Sequence, residues 1–291
     1  MAEFTAGLID VFAETPFGGN PLAVVEDADA LSDAQMRRIA GEFNQAETTF
    51  LLKSDQSDRK LRSFTASGAE VFGAGHNALG AWLWMGEHGK LGPLDTPRTF
   101  RQEIGEDVLP ITLVKVGGRV HGRMRQAALR LSAPLATTGS LARALGVDPD
   151  DVAPLPAARA ADTGAAHLMV RLRDVQAVDR AAPAAEALMT VLGTAGAEGC
   201  YVYAFDPASP DTAYARFFNP TVGLWEDAAT GTAAGPLCAY LGAEGLLNPE
   251  KILVVEQGVK MGRRSLLRVC LTPDPELSGT GIVVLRGTLT V

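Results

Sequence analysis

Apolar and polar positions at the start of the chain fall into short runs broken by turn residues. Residues 7–12 (GLIDVF) and 22–25 read as strands on either side of a Gly/Pro turn, PFGGNP. The period then lengthens. Met36, Ile39, Ala40 and Phe43 recur at helical spacing, and Ser32 with Gln35 three positions on forms a capping box ahead of them. This predicts a helix that packs on a sheet. NQAETTFLL (44–52) carries the change from that helix to an apolar strand, with Glu47 in the changeover. A polar stretch, 54–60, precedes a strand ending near Phe64, and a Gly-rich passage leads into a helix from about His76. Trp82 and Trp84 stand two apart on that helix and point to different sides, with core packing expected for one. TLVKVGGRVHGRM predicts two strands joined at Gly117-Gly118.

From about residue 130 the cycle restarts. Helices are predicted at 141–145, 184–192 and 232–246, and strands at 167–172, 200–205, 214–218, 252–255, 266–271 and 282–291. A shift of 156 positions brings SGAEVFGAGHNALGAWLWMGEHGKL (67–91) against VGLWEDAATGTAAGPLCAYLGAEGLL (222–247). Glu70 then meets Glu226, Gly75 meets Gly231 and Gly86 meets Gly242, and Phe64 meets Phe218 if two extra residues are allowed. The shared logic is a strand, an acidic residue, a small-residue bend and a helix opening at glycine. An internal duplication is the expectation.

Composition narrows the partners. The 291 residues carry a net charge of −8, and Lys and Arg form no basic stripe, which argues against nucleic acid. The longest strongly apolar stretch, 78–86, is far short of the roughly 20 residues needed to span a bilayer. No secretory leader is recognisable at MAEFTAG, and Cys200, Cys238 and Cys270 are widely spaced without CxxC. A cytoplasmic protein with reduced thiols, no metal site and no membrane partner is expected.

A helix that opens on small residues exposes backbone N–H groups and a positive dipole end, which favour an anion. Two such openings, Gly75–His76 and Gly231–Thr232, at matched places make a small carboxylate-bearing substrate the expected ligand. DVFAETPFGGNPLAVV, EFNQAETTFLL, GAEVFGAGHNALGA, DTGAAHLMV, FFNPTVGLWEDAATGTAAG and QGVKMGRRSLL resemble, in order, the successive signatures of the phenazine-biosynthesis PhzF-like family. The resemblance covers nearly the whole chain. It implies an α/β (α+β) diaminopimelate-epimerase-like fold of two pseudo-symmetric domains, 1–130 and 131–279, each a curved sheet around a central helix. It further implies an active site in the cleft between them, and a last strand, 280–291, that crosses back into the first domain. A homodimer, common among similar proteins, is the assembly it leaves open.

The family's catalytic glutamate falls on Glu47, its Gly-His pair on Gly75 and His76, and its acidic motif on 226–232, with the acid on Asp227 and the hydroxyl on Thr232. PhzF-like proteins resemble one another in needing no metal or organic cofactor, the glutamate moving a proton on carbon of a dihydro-hydroxyanthranilate. A carboxylate with a reference pKa of about 4.3 needs desolvation to act on carbon, and His76 can donate or accept near neutrality. Gly75, Asn77, Gly231 and Thr232 are the expected substrate-binding residues and Glu47, His76 and Asp227 the catalytic ones. Epimerases of this fold use paired cysteines, but Ala74 and Thr230 stand at those places, so a two-thiol racemase is not expected. Asn77, Ala228 and Thr232 depart from the family's usual residues and put the phenazine precursor itself in doubt. The expected activity is a cofactor-independent isomerase. An epimerase using carboxylates and a non-catalytic binding protein are the alternatives.

Overall fold

The computed structural model describes residues 1–291 except 137, 223 and 249, and position 223 of the second repeat passage therefore lies outside the described residues. The chain forms two compact units, one of residues 1–125 with 278–291, the other of residues 126–277.

Unit 1 begins with β1 (Glu3–Val11) and β2 (Asn20–Val25), an antiparallel pair, followed by α1 (Asp33–Phe43). The capping box forms: the Ser32 hydroxyl accepts from Gln35 N–H, and Gln35 Oε1 accepts from Ser32 N–H. Met36, Ile39 and Ala40 pack with Phe50 and Phe64, so helical periodicity becomes burial on one face. Asn44 ends α1 in the left-handed region at φ 49°, turning the chain directly into β3 (Glu47–Leu52). β3 runs parallel to β2 and antiparallel to β4 (Arg59–Phe64), to which the short β5 (Glu70–Val71) is also antiparallel. Then come α2 (His76–Glu87), β6 (Arg98–Ile104) parallel to β4, β7 (Asp107–Val116) and β8 (Arg119–Arg125). Gly117 and Gly118, both at positive φ, close the β7–β8 hairpin, as a two-residue turn of that hand requires.

α2 is enclosed by strands, and all its residues from His76 to Gly86 are buried. Both tryptophans are therefore in the core, not one. Trp82 Nε1 donates to Gln102 at 2.9 Å and Trp84 Nε1 to Glu26 at 2.6 Å, which satisfies each buried indole. Gly80 lets the sheet approach this helix: a Cβ there would lie 2.6 Å from Val11 and 2.7 Å from Leu22.

Unit 2 contains β9 (Arg130–Leu131), α3 (Thr138–Leu145), β10 (Arg159–Asp162) and β11 (Ala166–Arg171). These are followed by α4 (Val175–Arg180), α5 (Ala185–Ala195), β12 (Gly199–Phe205), β13 (Thr212–Asn219) and β14 (Leu224–Asp227). α6 (Gly231–Ala243), β15 (Leu253–Gln257), β16 (Ser265–Leu271) and β17 (Pro275–Thr290) complete the chain. From Ser278 onward β17 belongs to unit 1, where it pairs along the whole of β1 from Glu3↔Thr290 to Val11↔Gly281.

The pairing of unit 2 repeats that of unit 1. β11 is parallel to β12, β12 antiparallel to β13, β13 antiparallel to the short β14 and parallel to β15, with the enclosed helix α6 in the place of α2. Side chains repeat as well. Arg62 forks onto Glu70 at 2.7 and 2.8 Å and lies 5.1 Å over the Phe64 ring. Arg216 forks onto Glu226 at 2.8 and 2.9 Å and lies 4.8 Å over the Phe218 ring. Pairing order and this three-residue device together support a duplicated ancestor. No helix among the described residues is long and apolar enough to cross a membrane.

Candidate active site

Glu47 is the first residue of β3, set in parallel register with Leu22 of β2. It is half-buried, and its Oε2 is shielded from solvent. His76 is the first residue of α2, after the N-cap Gly75, and is only 7% exposed. Its Nε2 lies 3.9 Å from Glu47 Oε2, beyond hydrogen-bond range. Burial pushes the imidazole down to about 4, so near pH 7 it is neutral and the contact is not an ion pair. Nε2 of His76 has no hydrogen-bond partner among the described residues. A carboxylate can take a proton from carbon while a neutral imidazole beside it donates to, or accepts from, a second atom of the same molecule.

Asn77 and Gly75 are bound up with each other. Asn77 Oδ1 accepts from Gly75 N–H at 2.8 Å, while its Nδ2 donates to Ser63 Oγ at 3.1 Å and to the Gly73 carbonyl at 3.0 Å. Both amide donors are thus spent within the protein, and the residue is 2% exposed. Its visible work is to fasten the 73–75 bend to β4, which fixes where His76 begins the helix.

In unit 2, Asp227 closes β14 and is 7% exposed. A directional chain reaches it. Tyr201 O–H donates to Gln257 Oε1 at 2.8 Å, Gln257 Nε2 donates to Thr230 Oγ1 at 3.0 Å, and Thr230 O–H donates to Asp227 Oδ2 at 2.6 Å. Each donor has only one sensible direction, so Oδ2 of Asp227 is fixed as an acceptor. Gln257 Nε2 also holds the Asp227 carbonyl at 2.8 Å, and Thr230 N–H bonds Gln257 Oε1 at 3.2 Å. Gly231 opens α6, and its carbonyl accepts from Gln126 Nε2 at 2.9 Å. Thr232 follows, half-buried, with its hydroxyl 3.1 Å from Nε2 of His167.

Sequence pattern gave no role to Tyr201, Gln257, Thr230 or His167. Signals were present, since Gln257 opens QGVKMGRRSLL, His167 lies in DTGAAHLMV and Thr230 in FFNPTVGLWEDAATGTAAG, but nothing in a single sequence tells which groups they serve. His167 is 3% exposed and burial pushes it down to about 4, with Asp162 opposing. Among the described residues no three His, Cys, Asp or Glu side chains are grouped to hold a metal ion.

Two buried neutral histidines give stability a defined pH dependence. Each folded-state value, about 4, lies below the ordinary value of 6.5, so the unfolded chain binds more protons and stability falls as pH drops from 6.5 towards 4. Each contributes on the order of 3 kcal/mol over that window, at about 1.4 kcal/mol per pKa unit. Urea midpoints at pH 7, 6 and 5 should decline steadily, and the decline should lessen when His76 or His167 is replaced by Asn.

Comparison with known proteins agrees along the whole chain. A family model described as phenazine biosynthesis-like protein (PhzC-PhzF) matches residues 9–287. A trans-2,3-dihydro-3-hydroxyanthranilate isomerase of Pseudomonas chlororaphis is 33% identical over 97% of this chain and 98% of its own. The crystal structure of a Bacillus anthracis PhzF-family phenazine biosynthesis protein superposes with a TM-score of 0.89 at 26% identity, covering both chains fully. A hydroxyproline epimerase from Agrobacterium vitis shares the fold, with a TM-score of 0.68 at 12% identity over 99% of this chain and 92% of its own. The fold is therefore the α/β type common to PhzF proteins and these epimerases.

Proposed function

We propose that this chain, which belongs to the phenazine biosynthesis-like (PhzC-PhzF) family and is an isomerase like its named relatives, moves a proton between two atoms of a small carboxylate-bearing substrate without a cofactor. The observation that carries this reading is the Glu47–His76 pair: a half-buried carboxylate 3.9 Å from a neutral, buried imidazole. Glu47 removes a proton from carbon, the electron pair left behind becomes part of a new double bond, and the proton returns at another position of the same molecule. Atoms and charge balance without a further reagent. His76 steadies the oxygen or nitrogen on which charge develops. Asp227, fixed as an acceptor, takes a substrate N–H or O–H, while Gly75, Asn77, Gly231 and Thr232 shape the two helix openings expected to hold anionic oxygen.

The substrate class is that of the dihydro-hydroxyanthranilate in the relative's name, a ring bearing a carboxylate, an amine and a hydroxyl. A reduced, cytoplasmic setting suits the three cysteines, none of which is in a disulfide. Incubating the protein with trans-2,3-dihydro-3-hydroxyanthranilate in deuterated water provides the test. Isomerase action places deuterium on a ring carbon of the product, detected by mass spectrometry and NMR. Recovery of unlabelled, unchanged compound would leave only a binding role. An epimerase using Glu47 and Asp227 would instead label the carbon without shifting a double bond.

A further inference from the structure

We infer that His167 is a positioning residue that turns the Thr232 hydroxyl into a dedicated donor for an anionic oxygen. This rests on the isomerase reading for its substrate but on unit 2 alone for its geometry. Thr232 Oγ1 has one hydrogen-bond partner among the described residues, His167 Nε2 at 3.1 Å. The other ring nitrogen, Nδ1, is buried and has no hydrogen-bond partner there. The ring sits edge-on to Phe217, with centroids 4.9 Å apart, and at the start of β11 it is held by pairing to Ala161 and Gly199.

A neutral imidazole carries a single proton, so one nitrogen donates and the other accepts. Were the proton on Nδ1, a buried N–H would be orphaned, which is rarer in folded proteins than the unpaired acceptor that the Nε2–H form leaves there. On Nε2 the proton is used, because it meets the Thr232 oxygen. Burial, which keeps the ring neutral, excludes the form with protons on both nitrogens near pH 7. With its oxygen already accepting, Thr232 has its own hydrogen left over, and no protein acceptor among the described residues takes it. That hydrogen, at the second residue of α6 where backbone N–H groups are also unspent by the helix, suits a carboxylate oxygen. His167 thus acts through Thr232 and does not touch the ligand.

Two measurements test this. In ¹⁵N NMR of selectively labelled protein at pH 7, His167 should be the Nε2–H tautomer; the Nδ1–H tautomer overturns the inference whether or not the enzyme turns over. The second is a double-mutant cycle read by calorimetric binding of anthranilate, a stable ring carrying the carboxylate and amine. Thr232→Val and His167→Leu should each weaken binding about five- to tenfold, and the double variant should lose no more than either alone. His167→Gln, which keeps a donor near the Nε2 position, should recover most of the affinity. Losses that multiply in the double variant, or a Gln variant as weak as Leu, would show a merely structural histidine. Kinetics should follow as a raised KM with kcat within about twofold. Failure of that pattern while deuterium still enters the product would reject the role of His167 and leave the isomerase reading intact.

Discussion

Glu47→Gln should lower turnover by about 10²–10⁴-fold, the usual contribution of one positioned acid/base group, while anthranilate binds within about threefold of the parent. The substitution keeps the shape of the side chain and its hydrogen-bonding length but removes the basic oxygen. Glu47 begins a strand held on one side by β2 and on the other by β4, so the backbone has no cause to move. His76 is neutral before and after the change, and no buried positive charge is left behind. Deuterium exchange at carbon should disappear together with turnover, since both need the same proton removal. A Gln variant that still exchanges substrate hydrogen with solvent at the parent rate would show that another group is the base.

Arg216→Met should destabilise the protein by about 3 kcal/mol, the lower end of the cost of stranding one member of a buried ion pair, because Glu226 is half-buried. Arg216 is 7% exposed, and its fork is the one ion pair that Glu226 makes among the described residues. Its Nη1 also donates to the carbonyls of Val178, Asp179 and Ala181, closing the C-terminal end of α4. The equivalent Arg62 in unit 1 binds Glu70 in the same fork but spends its remaining contact on exposed Asp33, with no helix end to close. Arg62→Met should therefore cost less. Urea unfolding of both variants checks the order. Adding Glu226→Gln to Arg216→Met should recover part of the loss, because the uncompensated, half-buried charge goes with it.

What sequence could reveal divides along physical lines. α1 was legible because it has one dry face and one wet face, with Ser32 and Gln35 marking its start. The β7–β8 hairpin was legible because two adjacent glycines have few other uses. α2 and α6 have no such stripe, being dry all round, and only their glycine openings and apolar length announced them. β5, β9, β10 and β14 have two to four residues each, too few for a period of two to register. In the site, Glu47 and His76 each sit where an element changes, but it was the resemblance to the PhzF-like motifs that picked them out. The buried polar chain through Tyr201, Gln257 and Thr230 could not be picked out, since hydrogen-bond direction is a property of three dimensions. Asn77 shows the same limit: its proximity to His76 was readable, but the spending of its amide on the Gly75 bend was not.

The closing strand has a consequence for synthesis. β1 is made before any of unit 2, yet its partner along its full length is made after it. Unit 2, although encoded second, has all of its residues once position 277 is translated, whereas unit 1 must wait for 278–291. A nascent chain on the ribosome therefore carries an unsealed sheet edge while unit 2 is being made, a template for wrong pairing that remains until 278–291 is available to cover it.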